Sequence, residues 1–289
     1  MFAPMTIQQA AIQIKQKLKE IYTERESAAI TDRVLEKLTG VKKTDRIVNR
    51  DKMLSPEQTG LLGNWLHRLM NHEPLQYILQ EAWFGGLKFY VDKNVLIPRP
   101  ETEELVDWII SDCKFPIREL TLLDMGCGSG CISVFLKKKL RKAEVWACDV
   151  REDALHVAQH NAETSGAEII FRQLNFLNEE ERSKLPSFDI IVSNPPYVPE
   201  KDKAQMQPNV LNYEPSSALF VPDNDSLVFY NAIAGFGKKN LNAHGAVYVE
   251  IHEDLGEKVL NLFRSNNYRA VLKKDMQGKD RMIKAIYGA

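Results

Sequence analysis

The sequence predicts an α/β protein: a mostly parallel sheet with helices on both faces, preceded by a small helical segment. Three observations predict it. Short apolar runs at 120–125, 145–148, 169–171, 188–192 and 246–251 are mostly separated by helical stretches, the pattern of strands covered on both faces. A glycine turn, Gly126-Cys127-Gly128-Ser129-Gly130, follows the first run. Residues 1 to about 80 carry apolar residues at helical spacing.

In the first segment, Ile7, Ala10, Ala11, Ile14 and Leu18 recur along one helical face. Val34, Leu35 and Leu38 do so before Gly40, a helix stop. Ser55-Pro56-Glu57 is a helix start, with Ser55 as N-cap and Pro56 at the first helical position. Leu61, Leu62, Trp65, Leu66 and Leu69 then form an apolar stripe. This segment has a net charge near +3, against a mild acidic excess in the rest. We expect residues 1–80 to be a helical bundle and residues 81–99 a hairpin linker. In the linker, aromatic and β-branched residues flank Gly85-Gly86.

Residues 100–289 form the α/β domain. Glu101 to Cys113 reads as a helix with Leu105, Val106, Ile109 and Ile110 inward. At the C-terminus, Tyr268–Leu272 and Met282–Tyr287 read as two strands around a polar turn at 275–280. They form an antiparallel hairpin added to the parallel sheet.

The chain has 289 residues, 44% hydrophobic and 27% charged, the balance of a soluble protein able to bury a large core. Net charge is -1, so no global basic field holds nucleic acid. No basic stretch precedes an apolar run at the start, and no run approaches the roughly 20 apolar residues of a membrane helix. We expect a cytoplasmic protein with no membrane partner. Cys113, Cys127, Cys131 and Cys148 fit no disulfide or zinc spacing and read as buried reduced thiols.

The glycine turn lies between a strand and a helix, where glycines let the backbone approach a ligand. Its G-x-G-x-G spacing differs from the dinucleotide fingerprint, which argues against a nicotinamide cofactor. Asp124 stands just before it, where a carboxylate helps position the amino end of a methionine moiety. Asp149 ends the next strand, about 20 residues on, placed to accept hydrogen bonds from both ribose hydroxyls. An N-cap role for Asp149 at the following helix is compatible with that. The pocket is therefore read as one for an adenosine ligand.

Asn194-Pro195-Pro196-Tyr197 ends the fourth strand, at the edge that faces the ligand crevice in a doubly wound sheet. Two prolines stiffen the backbone and leave carbonyl oxygens unpaired. An amide or aromatic amine nitrogen is a poor nucleophile with two N–H donors. The Asn194 side-chain oxygen and the Pro195 carbonyl can hold both hydrogens and aim the nitrogen at a sulfonium methyl group. Tyr197 can cover the planar target. Asn194, Pro195 and Tyr197 are the candidate catalytic residues. His156 and His160, one helical turn apart, lack a third ligand nearby, so no metal is expected. Lys137-Lys138-Lys139 closes a helix, where cations suit the dipole.

Further strings identify a resemblance. Gln76-Tyr77-Ile78, Phe84-Gly85-Gly86-Leu87, Val95-Leu96-Ile97-Pro98-Arg99-Pro100-Glu101-Thr102-Glu103, Tyr213-Glu214-Pro215 and Gly278-Lys279-Asp280-Arg281 resemble the HemK or PrmC family, from about residue 70 to the end. The resemblance implies a class I, Rossmann-like S-adenosylmethionine-dependent methyltransferase with a seven-stranded sheet. It implies S-adenosyl-L-methionine as methyl donor and S-adenosyl-L-homocysteine as product. The implied substrate is the glutamine of the Gly-Gly-Gln motif in class I peptide chain release factors, methylated on its amide nitrogen N5. No direct nucleic acid partner is expected. The implied donor contacts are Asp124, Gly126, Cys127, Gly128, Ser129, Gly130, Asp149, Phe176 and Asn194. Asn194, Pro195, Pro196 and Tyr197 would grip the glutamine, Arg99 and Glu101 would edge the methionine end, and the helical domain would dock the release factor. This chain departs from the family at Gln80 and His252, where glycine is usual. Asn175 replaces the usual aspartate, Cys127 stands where threonine is frequent, and Asp223-Asn224-Asp225 replaces a glycine-bearing turn. Two rival readings stand beside this one: a methyltransferase acting on an exocyclic amine of a nucleic acid base such as adenine, and a non-catalytic adenosine-ligand-binding protein.

Overall fold

The computed structural model describes residues 4–113 and 119–288, which divide into two compact units. The first comprises the described residues through Glu81 together with Gln207–Tyr213. Its helices are α1 (Ile7–Leu18), α2 (Glu24–Thr39), α3 (Pro56–Met70) and α4 (Leu75–Leu79). The first three begin alike: Thr6, Thr23 and Ser55 accept from the third helical N–H, and Gln9, Glu26 and Gln58 reach back to the cap N–H. Each such box satisfies two donors the helix itself cannot, at about 1 kcal/mol per cap. Gly40 closes α2 in the left-handed conformation. Ile14, Leu18, Leu35, Leu62 and Leu69 are buried at the centre, while Leu61 of the expected stripe faces outward. The Tyr213 hydroxyl donates to the Asn71 carbonyl at 2.7 Å, tying the segment 207–213 to this unit.

Gln80 ends α4 at φ 53°, a left-handed cap. A helix stop of this kind favours glycine, because any Cβ crowds the following carbonyl. The departure from glycine at Gln80 thus retains the geometry at a local energetic cost. His252, by contrast, sits at φ -66° and needs no glycine.

The second unit opens with an antiparallel hairpin, β1 (Ala82–Phe84) and β2 (Leu87–Phe89), turning at Gly85 and Gly86. Then follow α5 (Pro100–Asp112), β3 (Thr121–Met125), α6 (Cys131–Lys139), β4 (Glu144–Asp149), α7 (Glu152–Ser165), β5 (Ile170–Gln173), α8 (Glu179–Arg182) and β6 (Phe188–Ser193). A two-residue strand β7 (Val198–Pro199) leads to the short helices α9 (Pro208–Leu211, in the first unit) and α10 (Ser216–Leu219). After these come β8 (Phe220–Val221), α11 (Val228–Asn240), β9 (Leu241–Glu250), α12 (Gly256–Ser265), β10 (Tyr268–Lys274) and β11 (Asp280–Tyr287). The main sheet has seven strands in the order β10-β11-β9-β6-β3-β4-β5. β3, β4, β5, β6 and β9 run parallel, and the terminal hairpin is antiparallel.

Alternation along the strands sorts side chains to two cores. Leu123, Ile191, Val247 and Val249 pack with Tyr230, Ile233, Val259 and Phe263 of α11 and α12. Leu122, Ile190, Val192 and Ala246 pack with Leu105, Ile109, Val134 and Phe135 of α5 and α6. Every residue of β6 is buried, as a central strand covered on both faces requires. From β3 the chain first builds outward through β4 and β5, then returns to place β6 on the other side of β3. That reversal opens a crevice at the carboxyl ends of β3, β4 and β6, the place where such sheets take ligands.

Candidate active site

A cavity of about 360 Å³ occupies this crevice, within the size of small-molecule sites. Met125, Gly126, Cys127, Gly128 and Ser129 supply one wall, Asp149, Val150 and Arg151 another, and Leu174 to Leu177 a third. Asn194 and Pro196 border it from the end of β6, and Pro98, Arg99 and Thr102 from the start of α5.

The glycine turn is held from the neighbouring strand. The N–H groups of Gly126 and Cys127 both donate to the Cys148 carbonyl, at 2.9 and 3.0 Å. Gly126 and Gly128 have φ of 72° and 51°, and a Cβ on either would meet nothing within 4 Å. The backbone therefore presents a bare, open cradle. Gly130 is different: it caps α6 at φ 75° and lies against Ala158 of α7, outside the lining.

Asp149 closes the far side. Its Oδ2 accepts from Gly128 N at 3.0 Å and its Oδ1 from Arg151 N at 3.0 Å. The N-cap of α7 is Arg151, with no side-chain cap bond, so Asp149 is not the cap. It ties the glycine turn to the next loop instead. A carboxylate has about four lone-pair sites, so acceptor capacity remains. Phe176 lines the cavity and packs edge-on against Phe236, centroids 5.2 Å apart. Asn175 Oδ1 accepts from Leu177 N at 3.0 Å, a turn bond that an aspartate would make equally well.

Asp124 is almost fully buried and does not line the cavity. Its Oδ2 accepts from Ser133 N at 3.0 Å, while Oδ1 has no partner among the described residues. Burial pushes its carboxyl up to about 7, against the opposing Ser133 hydrogen bonds.

The Asn194-Pro195-Pro196-Tyr197 segment is anchored by groups from two other elements. Asn194 Nδ2 donates to Thr102 Oγ1 at 3.1 Å. Thr102 Oγ1 in turn donates to Glu250 Oε2 at 2.6 Å. Tyr197 donates its hydroxyl to Glu250 Oε1 at 3.2 Å. Tyr230 donates to the Glu250 carbonyl at 3.1 Å, fixing the end of β9. Burial raises the Glu250 carboxyl to about 7, opposed by the Thr102 hydroxyl and by the charge of Arg281. The Tyr197 phenol is also raised, first by burial and then by Glu250, so it stays protonated. Asn194 and Pro196 line the cavity, and Pro195 and Tyr197 adjoin them without being part of the lining.

Arg99 is on the cavity edge, but Glu101 sits in the first turn of α5, off the lining. The Arg99 guanidinium pairs with buried Glu214 at 2.7 Å, and Glu214 also accepts from Ile97 N at 3.3 Å. That pair clamps the loop entering α5. Thr102, Glu250, Glu214, Arg151 and Phe229 were not singled out as site residues from the sequence. Thr102 and Glu214 lie inside the family strings 95–103 and 213–215, the sequence signal that could have found them. Among the described residues, no helix is long and apolar enough to cross a membrane.

Both parts of the chain resemble known proteins. Residues 9–79 match the model of the PrmC N-terminal domain, and residues 109–213 that of the methyltransferase small domain. A release factor glutamine methyltransferase from Flavobacterium psychrophilum is 44% identical over 286 residues, 98% of this chain and 100% of that protein. A protein of the same name from Bacteroides thetaiotaomicron is 42% identical over 273 residues, covering 94% and 97%. Among solved structures, a methyltransferase from Pyrococcus furiosus aligns with a TM-score of 0.52 at 18% identity, over 78% of this chain and 100% of its own. That last likeness is one of fold.

Proposed function

We infer the reaction from one premise: the chain belongs to the family of release factor glutamine methyltransferases. Its second unit has the class I S-adenosylmethionine-dependent methyltransferase fold, and the enzyme methylates the N5 amide nitrogen of a glutamine. We propose as substrate the glutamine of the Gly-Gly-Gln motif in class I peptide chain release factors, docked by the helical unit. We propose a cytoplasmic location.

The open cradle at Gly126 and Gly128 and the cavity volume fit S-adenosylmethionine. Gly126, Cys127, Gly128 and Ser129 would hold it along the backbone. Asp149 would accept from the ribose, and Phe176 would flank adenine. Asp124 Oδ1 is a buried acceptor that the ammonium of the methionine end would reach through a bridging water. Gly130 would contribute by seating α6 against α7. When bound, the donor supplies an electrophilic methyl group on sulfur.

The chain's own part is to position and polarise. An amide nitrogen has its lone pair spread into the carbonyl and two hydrogens to offer. Asn194 Oδ1 and the Pro195 carbonyl would accept those hydrogens, holding the nitrogen and returning electron density to it. As positive charge grows on nitrogen, both acceptors bind it more strongly, so the transition state gains more than the ground state. Pro196 stiffens the grip, and Tyr197 backs the planar amide. The methylated nitrogen is acidic and releases a proton to solvent, so no general base is assigned.

The observation that carries this reading is the handedness of Asn194: its amide NH2 is taken by Thr102, leaving Oδ1 without a donor among the described residues. The test is transfer of labelled methyl to a purified release factor by wild type and Asn194→Ala. Label on the wild-type substrate and a loss of about 10²-fold or more in the variant are expected. Label on nucleic acid instead, or an unimpaired variant, would overturn the reading.

A further inference from the structure

The Asn194 amide could turn over about its last torsion and present NH2 where the oxygen is needed. Nothing in the Asn-Pro-Pro-Tyr segment itself prevents this. We propose that Thr102 and Glu250 are positioning residues that fix which end of the Asn194 amide meets the substrate, and that Glu250 holds Tyr197 with its second oxygen.

The chain of donors has one consistent direction. Above about pH 7, where Glu250 is ionised, its carboxylate only accepts. Its Oε2 takes the Thr102 hydroxyl proton at 2.6 Å and its Oε1 that of Tyr197 at 3.2 Å. With its one proton committed, Thr102 Oγ1 faces Asn194 as an acceptor, at 3.1 Å. A reversed amide would set Oδ1 against that oxygen, two lone pairs facing at hydrogen-bond distance. Thr102 and Glu250 are 2% and 1% exposed, so bulk water is poorly placed to relieve the mismatch. The backbone supports the device. Tyr230 pins the Glu250 carbonyl at 3.1 Å, and Thr102 N donates to the Arg99 carbonyl at 3.2 Å within the first turn of α5. Tyr197 and Asn194 therefore share one carboxylate, one directly and one through Thr102.

This inference rests on the assignment of Asn194 Oδ1 as the substrate acceptor, and the experiment separates the two. Steady-state methyl transfer is measured for Thr102→Val, Thr102→Ser, Asn194→Ala and the Thr102→Val/Asn194→Ala pair. S-adenosylhomocysteine affinity by calorimetry and melting temperature are measured alongside. Thr102→Val should lower kcat about 10–100-fold, the range for losing a group that orients a site residue, with donor Kd within about threefold of wild type. Thr102→Ser restores the hydroxyl and should recover most of that loss. The double variant should be no slower than Asn194→Ala alone, because both changes remove one unit. Glu250→Gln, of equal size, keeps one acceptor for the two donors Thr102 and Tyr197, so one of them loses its partner and kcat should fall, even if Thr102→Val does not fold.

A slow Asn194→Ala beside a Thr102→Val and a Glu250→Gln at wild-type rate would overturn the inference and leave the assignment of Asn194 standing. So would a double variant slowed by the product of the single effects. A Thr102→Val with weakened donor affinity and unchanged kcat would make Thr102 a donor contact instead. A fully active Asn194→Ala would remove the underlying assignment.

Discussion

Replacing Gly130 with alanine tests how the glycine turn is built. Two penalties arise there. The residue sits at φ 75°, and holding an L-residue in that region costs about 1–2 kcal/mol. The new Cβ would also lie 3.0 Å from Ala158 Cβ and 3.2 Å from Ala158 Cα. Ala158 is fully buried in the middle of α7, so α6 and α7 must part by a few tenths of an ångström. Such overpacking costs about 1–3 kcal/mol more. Gly126→Ala is the control: φ is 72°, yet its Cβ meets nothing within 4 Å. Its stability loss should stop at about 1–2 kcal/mol. Gly130→Ala should then melt below Gly126→Ala by a few degrees, at about 2–4 °C per kcal/mol for a domain this size. Calorimetric titration with S-adenosylhomocysteine should invert the order. Gly126 borders the cavity and Gly130 does not, so Gly126→Ala should bind the product less tightly. Equal melting temperatures for the two variants would refute the packing role given to Gly130.

Three further outcomes are expected. Gln80→Gly should raise stability by up to about 1 kcal/mol, read by thermal or urea unfolding, because it relieves a left-handed helix cap at an exposed position; a loss of stability would show that the glutamine side chain contributes more than the strain. Glu250 should make stability depend on pH. Its carboxyl is raised in the folded state to about 7 from an ordinary value of 4.5, so folding favours the protonated form. That contribution is complete below about pH 4.5 and is lost as pH rises through about 7. Measured against wild type, Glu250→Gln should therefore gain relative stability between pH 5 and pH 8, and a constant difference would contradict the shift. Lastly, Cys127, Cys131 and Cys148 are buried with their thiols raised by burial, and half-buried Cys113 is raised to about 11. A thiol reagent at pH 8 should label the native protein slowly and the urea-unfolded protein at all four sites. Rapid native labelling of more than one cysteine would show that the buried thiols are accessible.

What the residues determine without folding is local. The boxes at Thr6, Thr23 and Ser55, the stop at Gly40 and the hairpin at Gly85-Gly86 follow from side chains within a few positions of each other. So do the strand-turn-helix at Asp124 to Cys131 and the stiff Asn-Pro-Pro-Tyr corner. The alternation of apolar runs with helices determines the parallel sheet, and the sheet determines that its ligand crevice opens at the carboxyl ends of the strands. Tertiary structure decided which polar atoms meet across long stretches of chain. Thr102 reaches Glu250 over 148 positions, Asn194 reaches Thr102 over 92, and Arg99 reaches Glu214 over 115. Helix α5 and the ends of β6 and β9 must be assembled in register before those groups are neighbours, and no periodicity announces a buried carboxylate's partner. The same holds for the segment 207–213, which lies far along the sequence yet joins the helical unit. The reason is the range of the forces: backbone propensity and capping act within a turn or two. The pairing of buried polar groups is set by which strands and helices the hydrophobic core brings together.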